Sequence, residues 1–367
     1  MAESLFVVLP SPACAAVAPD TVLAGLTLRR RMMLAAERAG FAEVRDTPGA
    51  AGDGGARPRR IVLLAANVVV QPAWLHALLV APLAPETLHV DGRAVAVVET
   101  ADPARVLAAA ARCSDAADLA AALDGRLRPA PLPADEAGRF ALRSAADIAP
   151  AERWLLRSLI KPTEGFMSRH VERPISLGVT RRLVSTPITP NAMTLISLTI
   201  GLASAPFFLS PAPSMQLAGA LLFLLHSILD GCDGELARLT FRESRAGALL
   251  DFWGDNAVHV AVFGCMALGW SRAADSWWPL LAGAVAIASS LGAAATVSRL
   301  FVSKQPVGAA GSAAARLTDA LANRDFIYVV VLLAAFGRAA WFLVIAALGT
   351  PVFVLLLLLG GAARRSR

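Results

Sequence analysis

The stretch LLFLLHSILDGCDGELARLTFRESRAGALLDFWGDNAVHVAVFG (residues 221–264) decides how this chain folds. Both of its ends are apolar, and its middle carries four aspartates. Asp230 and Asp233 are three residues apart, and Asp251 and Asp255 are four apart. On helices, each pair shares one face, one turn apart. Ala237 continues the first face. The connection between the helices is short and basic, so the two lie side by side and the four carboxylates converge. A carboxylate near the bilayer costs roughly 2.5–3.5 kcal/mol on insertion scales, and four of them repel one another. A divalent cation with oxygen ligands, Mg2+ or Mn2+, is the simplest remedy. Held at the membrane surface, such a cation suits a diphosphate ligand. Gly234, Ala237 and Gly247 lack bulk and would let a nucleotide lie against the backbone. The plainer alternative has these aspartates capping helices or pairing with Arg238, Arg242 and Arg245. That accounts for one aspartate at a helix end, but poorly for four at these spacings with three small residues between them.

Outward from this stretch the hydropathy stays high. Six spans are predicted, at about 191–209, 214–238, 246–270, 275–301, 325–341 and 342–361, each near the ~20 residues that cross a bilayer. The composition agrees: of 367 residues, 56% are hydrophobic and 17% charged, against about 25% charged in soluble domains. Intrinsic disorder, collagen and a nucleic-acid-binding tail are excluded, so no nucleic-acid partner is expected. Residues 1–150 carry 15 basic and 16 acidic side chains, and residues 151–367 carry 19 and 12. The apolar half is therefore also the basic half. Its positive charge falls in the lead-in before the first span, in 239–245, in 299–324 (Arg299, Lys304, Arg316, Arg324) and in the tail (Arg364, Arg365, Arg367). The opposite loops carry almost none. With six spans, both termini lie on the positive, cytoplasmic side of an inner, cytoplasmic-type membrane. The four cysteines show no CxxC pair and read as reduced thiols.

Upstream, 150–186 is a basic, amphipathic lead-in whose Arg, Lys and His residues interleave with Trp154, Leu155, Leu159, Phe166 and Ile175, as in helix lying on a membrane surface. Lys161, Arg169, His170 and Arg173 are candidate anion-binding residues; resting on anionic headgroups is the equal alternative. Residues 1–145 read as an α/β domain with a parallel sheet. Strands are expected at 4–10 and 60–70, a strand pair turning at Asp91-Gly92 within 86–99, a helix over 20–41 capped by Asp20 and ended by Gly40, helices at 72–79, 103–112 and 115–123, and a Pro-rich linker at 128–138. Segment 47–60 reads as a loop.

The spacing D-x2-D-G-x2-A-R-x8-G-x3-D-x3-D, met at Asp230, Asp233, Gly234, Ala237, Arg238, Gly247, Asp251 and Asp255, resembles the signature of the CDP-alcohol phosphotransferase family over about residues 155–360. Within the family, KPTEGFMSRHVERPIS (161–176) followed by TPITPNAMT (186–194) is similar to the branch of the di-myo-inositol phosphate phosphate synthases. The resemblance implies a six-span membrane enzyme, commonly a homodimer, that takes a CDP-alcohol donor and an alcohol acceptor and releases CMP with the help of Mg2+ or Mn2+. It implies metal ligation by Asp230, Asp233 and Asp251, with Asp255 as ligand or general base, and a nucleotide site lined by Gly234, Ala237, Arg238 and Gly247, with Asn191 facing it. That branch often carries a sugar-type nucleotidyltransferase in front. Here 1–145 looks like a degenerate nucleotidyltransferase-like domain: the first strand is followed by LPSPACAAVAPD (9–20) in place of a Gly-rich phosphate loop, and Asn67 stands where a metal-binding Asp would be. The domains expected are thus 1–145, the juxtamembrane helices 150–186 and the membrane enzyme 187–363, acting in phospholipid or inositol-phosphate synthesis. A transporter or membrane sensor that binds cations or nucleotide at the same cluster is the alternative, disfavoured by the few charges elsewhere in the spans.

Overall fold

The structure, a computed structural model, describes residues 3–11, 16–49, 59–132, 136–160, 164–302 and 326–365. Lys161, most of the expected 47–60 loop and the connection bearing Lys304, Arg316 and Arg324 lie outside the described residues. The chain forms two compact units, Met1–Arg157 and Ser158–Arg367.

The first unit is α/β. Its strands are β1 (Glu3–Val8), β2 (Val22–Leu23), β3 (Leu26–Thr27), β4 (Glu43–Arg45), β5 (Arg59–Leu64), β6 (Val68–Val70), β7 (Thr87–Asp91), β8 (Val95–Thr100), β9 (Arg128–Pro131) and β10 (Arg139–Ala141). Its helices are α1 (Leu28–Ala39), α2 (Pro72–Val80), α3 (Pro103–Ala110), α4 (Ala116–Ala122) and α5 (Ile148–Arg157). Six strands make one sheet in the order β4-β1-β5-β8-β7-β9. The sheet is mixed, which corrects the parallel sheet expected from strand–helix alternation. The β1/β4, β1/β5 and β7/β9 pairs are parallel, but β8 runs antiparallel to both neighbours, because the tight Asp91–Val95 turn folds it straight back on β7. Leu5, Val7, Ile61 and Leu63 pack with Val106, Leu107 and Leu119 on one side, and Phe6 and Val62, of opposite parity, are fully buried too. Coverage on both faces is what makes these strands continuous apolar runs.

Three local expectations change. The helix predicted over 20–41 starts only at Leu28, capped by Thr27 rather than Asp20. Ahead of it, Ala24 and Gly25 both take positive φ, 47° and 77°, the backbone of a tight hairpin turn that joins β2 to β3. Gly40 does end the helix, at φ 94°. The run 60–70 is two strands, β5 and β6, with a turn between them. Part of the expected linker, Arg128–Pro131, is the edge strand β9, where prolines are tolerated because no neighbour needs their N–H. Helix α5, expected in the membrane lead-in, belongs to the first unit: Glu152 accepts the Ala24 N–H (3.2 Å) and Trp154 packs against Phe140.

The second unit is helical. After a π-type turn at Ser168–Glu172 come α6 (Arg173–Leu183), α7 (Pro190–Ser204), α8 (Pro213–Thr240), α9 (Arg245–Ala274), α10 (Trp278–Val302), α11 (Phe326–Ala335) and α12 (Trp341–Arg365). Four of the described segments, Pro190–Leu209, Pro213–Thr240, Arg245–Ala274 and Trp278–Thr296, are long and apolar enough to cross a bilayer; α11 and the apolar part of α12 are shorter. The span expected over 325–341 is interrupted: α11 ends at Ala335. Gly337 at φ 67° reverses the chain there. Its N–H reaches Ala334 O (2.9 Å) while Arg338 N–H reaches Leu333 O (2.8 Å), a left-handed helix stop. The core of this unit runs through Leu198, Phe208, Phe223, Val258, Val262, Phe263, Met266, Val330 and Leu343.

Candidate functional site

The acidic motif straddles the end of α8 and the start of α9. Helix α8 stops at Phe241, which adopts the left-handed conformation (φ 56°), and Arg242 N–H closes on Ala237 O at 2.9 Å. Three residues later Ser244 caps α9, its Oγ accepting the Gly247 N–H at 3.0 Å. This short reversal lays the two helix ends side by side. One ligand oxygen from each of Asp230, Asp233 and Asp251 lies within 4.8 Å of the others. Asp230 and Asp233 are 4% and 6% exposed, and Asp251 Oδ1 is buried without a hydrogen-bond partner among the described residues. Two buried carboxylates and a half-buried third this close repel strongly in a low dielectric. Their all-oxygen donor set fits a hard divalent cation, which would satisfy the charge and the orphaned oxygen together.

Asp255, the fourth aspartate of the motif, stands outside that group of three. Its Oδ1 is 3.6 Å from His226 Nε2. His226 is buried, and its Nδ1 donates to the Ser197 carbonyl at 2.9 Å, so α7 and α9 are both tied to the same ring on α8. Helix α7 contributes directly as well: the Thr194 hydroxyl donates to Asp233 Oδ2.

Small residues allow this convergence. A Cβ on Gly247 would lie 2.7 Å from Asn191 Oδ1, one on Gly254 2.4 Å from Leu198 Cδ1, and one on Gly201 2.8 Å from His226 Cγ. The first turns of α7 and α9 therefore meet at Asn191 and Gly247. A Cβ on Gly234 would lie 3.0 Å from Arg238 Nη1. Arg238 Nε is buried with no hydrogen-bond partner among the described residues. Ala237, half-buried, lies between Gly234 and Arg238 in sequence.

One residue of this region carries no signal in the sequence reading. Glu235, between two motif positions, is fully buried. It accepts from Ser176 Oγ (2.6 Å), Thr180 Oγ1 (2.7 Å) and Arg173 Nη1 (2.7 Å), all on α6. Arg173 also forks onto Glu164, at 2.8 and 2.9 Å. A Cβ on Gly231 would come within 2.9 Å of the same guanidinium. Arg173 thus braces the amphipathic helix onto α8. Of the other basic candidates, Arg169 and His170 are exposed on the turn before α6, His170 stacked on Phe166 at 4.4 Å.

A helical domain with segments long and apolar enough to cross a bilayer, whose second and third long helices bring three carboxylates together beside glycine-lined backbone, defines a class: multi-pass membrane proteins with an acidic cluster able to take a cation. Residues 187–353 match the family model described as CDP-alcohol phosphatidyltransferase. The chain is similar to the bifunctional IPC transferase and DIPP synthase of Thermococcus kodakarensis, 45% identical over 106 residues that make up 29% of this chain and 23% of that protein. It is similar also to the CDP-diacylglycerol–serine O-phosphatidyltransferase of Mycobacterium tuberculosis, 38% identical over 100 residues, 27% of this chain and 33% of that protein. The chain thus spans about a quarter of the length of the first of these relatives and a third of the second. Among solved structures, the Mycobacterium tuberculosis phosphatidylinositol phosphate synthase with CDP-DAG bound is 21% identical, with a TM-score of 0.38, over 51% of this chain and 93% of that one.

Proposed function

We propose that this protein is a membrane CDP-alcohol phosphotransferase that moves a phospho-alcohol group from a CDP-alcohol to an acceptor hydroxyl and releases CMP. The observation that carries this reading is the convergence of Asp230, Asp233 and Asp251 within 4.8 Å, at the spacing the family shares, in the segment the family model matches.

Asp230, Asp233 and Asp251 would hold Mg2+ or Mn2+. The bound cation would supply charge neutralisation of the donor diphosphate and a better CMP leaving group. The rest is work for the side chains. Gly234, Ala237 and Gly247, with Asn191 facing Gly247, leave room for the cytidine nucleotide against the backbone. Arg238 offers a guanidinium to its phosphates. Asp255, set apart from the three clustered carboxylates and oriented by His226, accepts the proton of the acceptor hydroxyl. That oxygen forms its bond to the phosphorus bearing the donor alcohol, and the bond from this phosphorus to the bridging oxygen breaks, so the electron pair leaves with CMP. The exposed turn with Arg169 and His170, together with Lys161, meets the phosphate of a polar acceptor, while Arg173 fixes that turn through Glu164 and Glu235.

The relatives named above favour two acceptor classes, an inositol phosphate and a polar lipid-headgroup alcohol such as serine. The similarity to the bifunctional synthases, 45% against 38% identity, favours the first. In this account the domain has six spans, both termini are cytoplasmic in an inner-type membrane, and the enzyme works as a homodimer. The first unit is a degenerate nucleotidyltransferase-like domain, so the CDP-alcohol comes from another enzyme. Asn67 supports this: its Nδ2 donates to Leu142 O at 2.8 Å, so its side chain is engaged with the neighbouring backbone.

Purified full-length protein incubated with CDP-linked donors and candidate alcohols, with products read by mass spectrometry, tests the reading. CMP release that requires both an acceptor and a divalent cation is expected. Cation or nucleotide binding without CMP release from any donor would instead favour the transporter or sensor.

A further inference from the structure

A second polar site lies at the opposite end of the membrane helices. Gln216 precedes Asp230 by 14 residues on α8, and Trp270 follows Asp251 by 19 on α9. At about 1.5 Å per residue, both helices put this end roughly 21–28 Å from the carboxylates, close to the thickness of the hydrocarbon core. A cavity of about 130 Å³ opens here, between the end of the Pro190–Leu209 segment, the start of α8, the last turns of α9 and the α11–α12 turn. Ser210, Gln216, Trp270, Arg338 and Trp341 are among its walls.

The floor is satisfied and fixed. Gln216, 7% exposed, accepts the Ala339 N–H at 3.0 Å and reaches the Ser210 and Pro211 carbonyls at 3.4 and 3.5 Å. It therefore pins the turn whose preceding residue is Arg338. The Gly337 helix stop sets the other side of that turn. Arg338 is exposed; among the described residues its guanidinium makes no ion pair and donates no hydrogen bond. The positive charge of this domain gathers at the carboxylate end, as topology alone would have it. A cation fixed at the far end is outside that pattern and asks for an anion. Trp270 adds a wall of indoles, with Trp278 and Trp341 at ring distances of 4.5 and 5.9 Å. Such rings sit at headgroup depth in a membrane. Phe336 and Trp341, 74% and 54% exposed, flank the opening with apolar surface.

We propose that this cavity binds the phosphodiester headgroup of an anionic phospholipid in the leaflet opposite the carboxylate centre. The Arg338 fork meets two phosphate oxygens in parallel, the indoles border the glycerol region, and Phe336 and Trp341 lie along the acyl chains. A soluble phosphate would gain nothing from that apolar flank, so the site reads a lipid.

Native mass spectrometry of the full-length protein, offered phosphatidylglycerol, phosphatidylcholine or inorganic phosphate, tests this. Phosphatidylglycerol should be retained at least tenfold better than phosphatidylcholine, and Arg338→Gln should lower that retention at least tenfold. CMP release by Arg338→Gln should stay within twofold of the parent protein, which keeps this site distinct from the catalytic proposal. Equal retention of the two lipids, equal retention by the variant, or inorganic phosphate held as well as phosphatidylglycerol would overturn the assignment. Should the variant not fold, the parent protein can be cross-linked to phosphatidylglycerol carrying a headgroup diazirine. Labelling of the peptides containing Trp270 and Arg338–Trp341 is expected, and its absence would overturn the proposal.

Discussion

Asp255, a motif residue, and Glu235, which lies between two motif positions, sit in very different surroundings. Asp255 lies against His226, outside the three clustered carboxylates, and its proposed task is to take a proton. Asp255→Asn keeps the shape but removes the basic oxygen. CMP release should fall about 10²–10⁴-fold, while size-exclusion elution stays that of the parent. Glu235 contacts no reacting group in this account. It is the buried anchor of α6, and its removal leaves Ser176 and Thr180 without their acceptor and Arg173 with one carboxylate fewer. Glu235→Ala should cost about 3 kcal/mol in chemical denaturation. Glu235→Gln, which still offers an acceptor oxygen to the hydroxyls, should cost clearly less. The spacing alone puts each aspartate pair on one helix face, but of the four carboxylates expected to converge only Asp230, Asp233 and Asp251 lie together, with Asp255 set apart against His226. Glu235 was not legible in the sequence, because its partners are 55–62 residues away and nothing local marks a carboxylate that will be buried.

At the scale of elements, glycine decides how closely α7, α8 and α9 approach. Gly247→Ala would push a methyl into Asn191 at the meeting of two first turns, so it should impair CMP release more than folding. Gly178 offers the contrast. It is exposed in α6, where an added Cβ meets nothing within 4 Å. Gly178→Ala should raise stability by about 0.5–1 kcal/mol through helix propensity; thermal unfolding of the two variants side by side, with CMP release measured for Gly247→Ala, checks both statements. The same residue type explains two errors of boundary. Gly25 turns the chain inside what looked like one amphipathic helix, and Gly337 ends α11 before the expected span is complete. Gly25 sits inside a 3.6-residue apolar pattern that masked its effect, whereas Gly337 already marks the division between the fifth and sixth spans in the sequence and only the exact end of the fifth was misplaced. Strand positions were readable from apolar runs and the Asp91-Gly92 turn. Strand direction was not, because buried parallel and antiparallel strands share one composition.

At the scale of the whole molecule, the chain joins an α/β unit to a helical membrane domain to which the proposed chemistry is assigned. The α/β unit retains strands, helices and a two-sided core, yet the position expected to bind metal is Asn67, engaged with Leu142. Full-length protein given CTP and a sugar or inositol phosphate should release no pyrophosphate above background; release would restore a catalytic role to this unit. The central claim concerns the cation. Mn2+ binding followed by electron paramagnetic resonance, on the parent protein and on Asp251→Asn, tests it most directly when paired with CMP release from the same samples. The account predicts a bound Mn2+ that is lost, or weakened at least tenfold, in Asp251→Asn, with CMP release lost in parallel and abolished in the parent by chelation. Undiminished Mn2+ binding in the variant, or CMP release that persists in chelator, would contradict it.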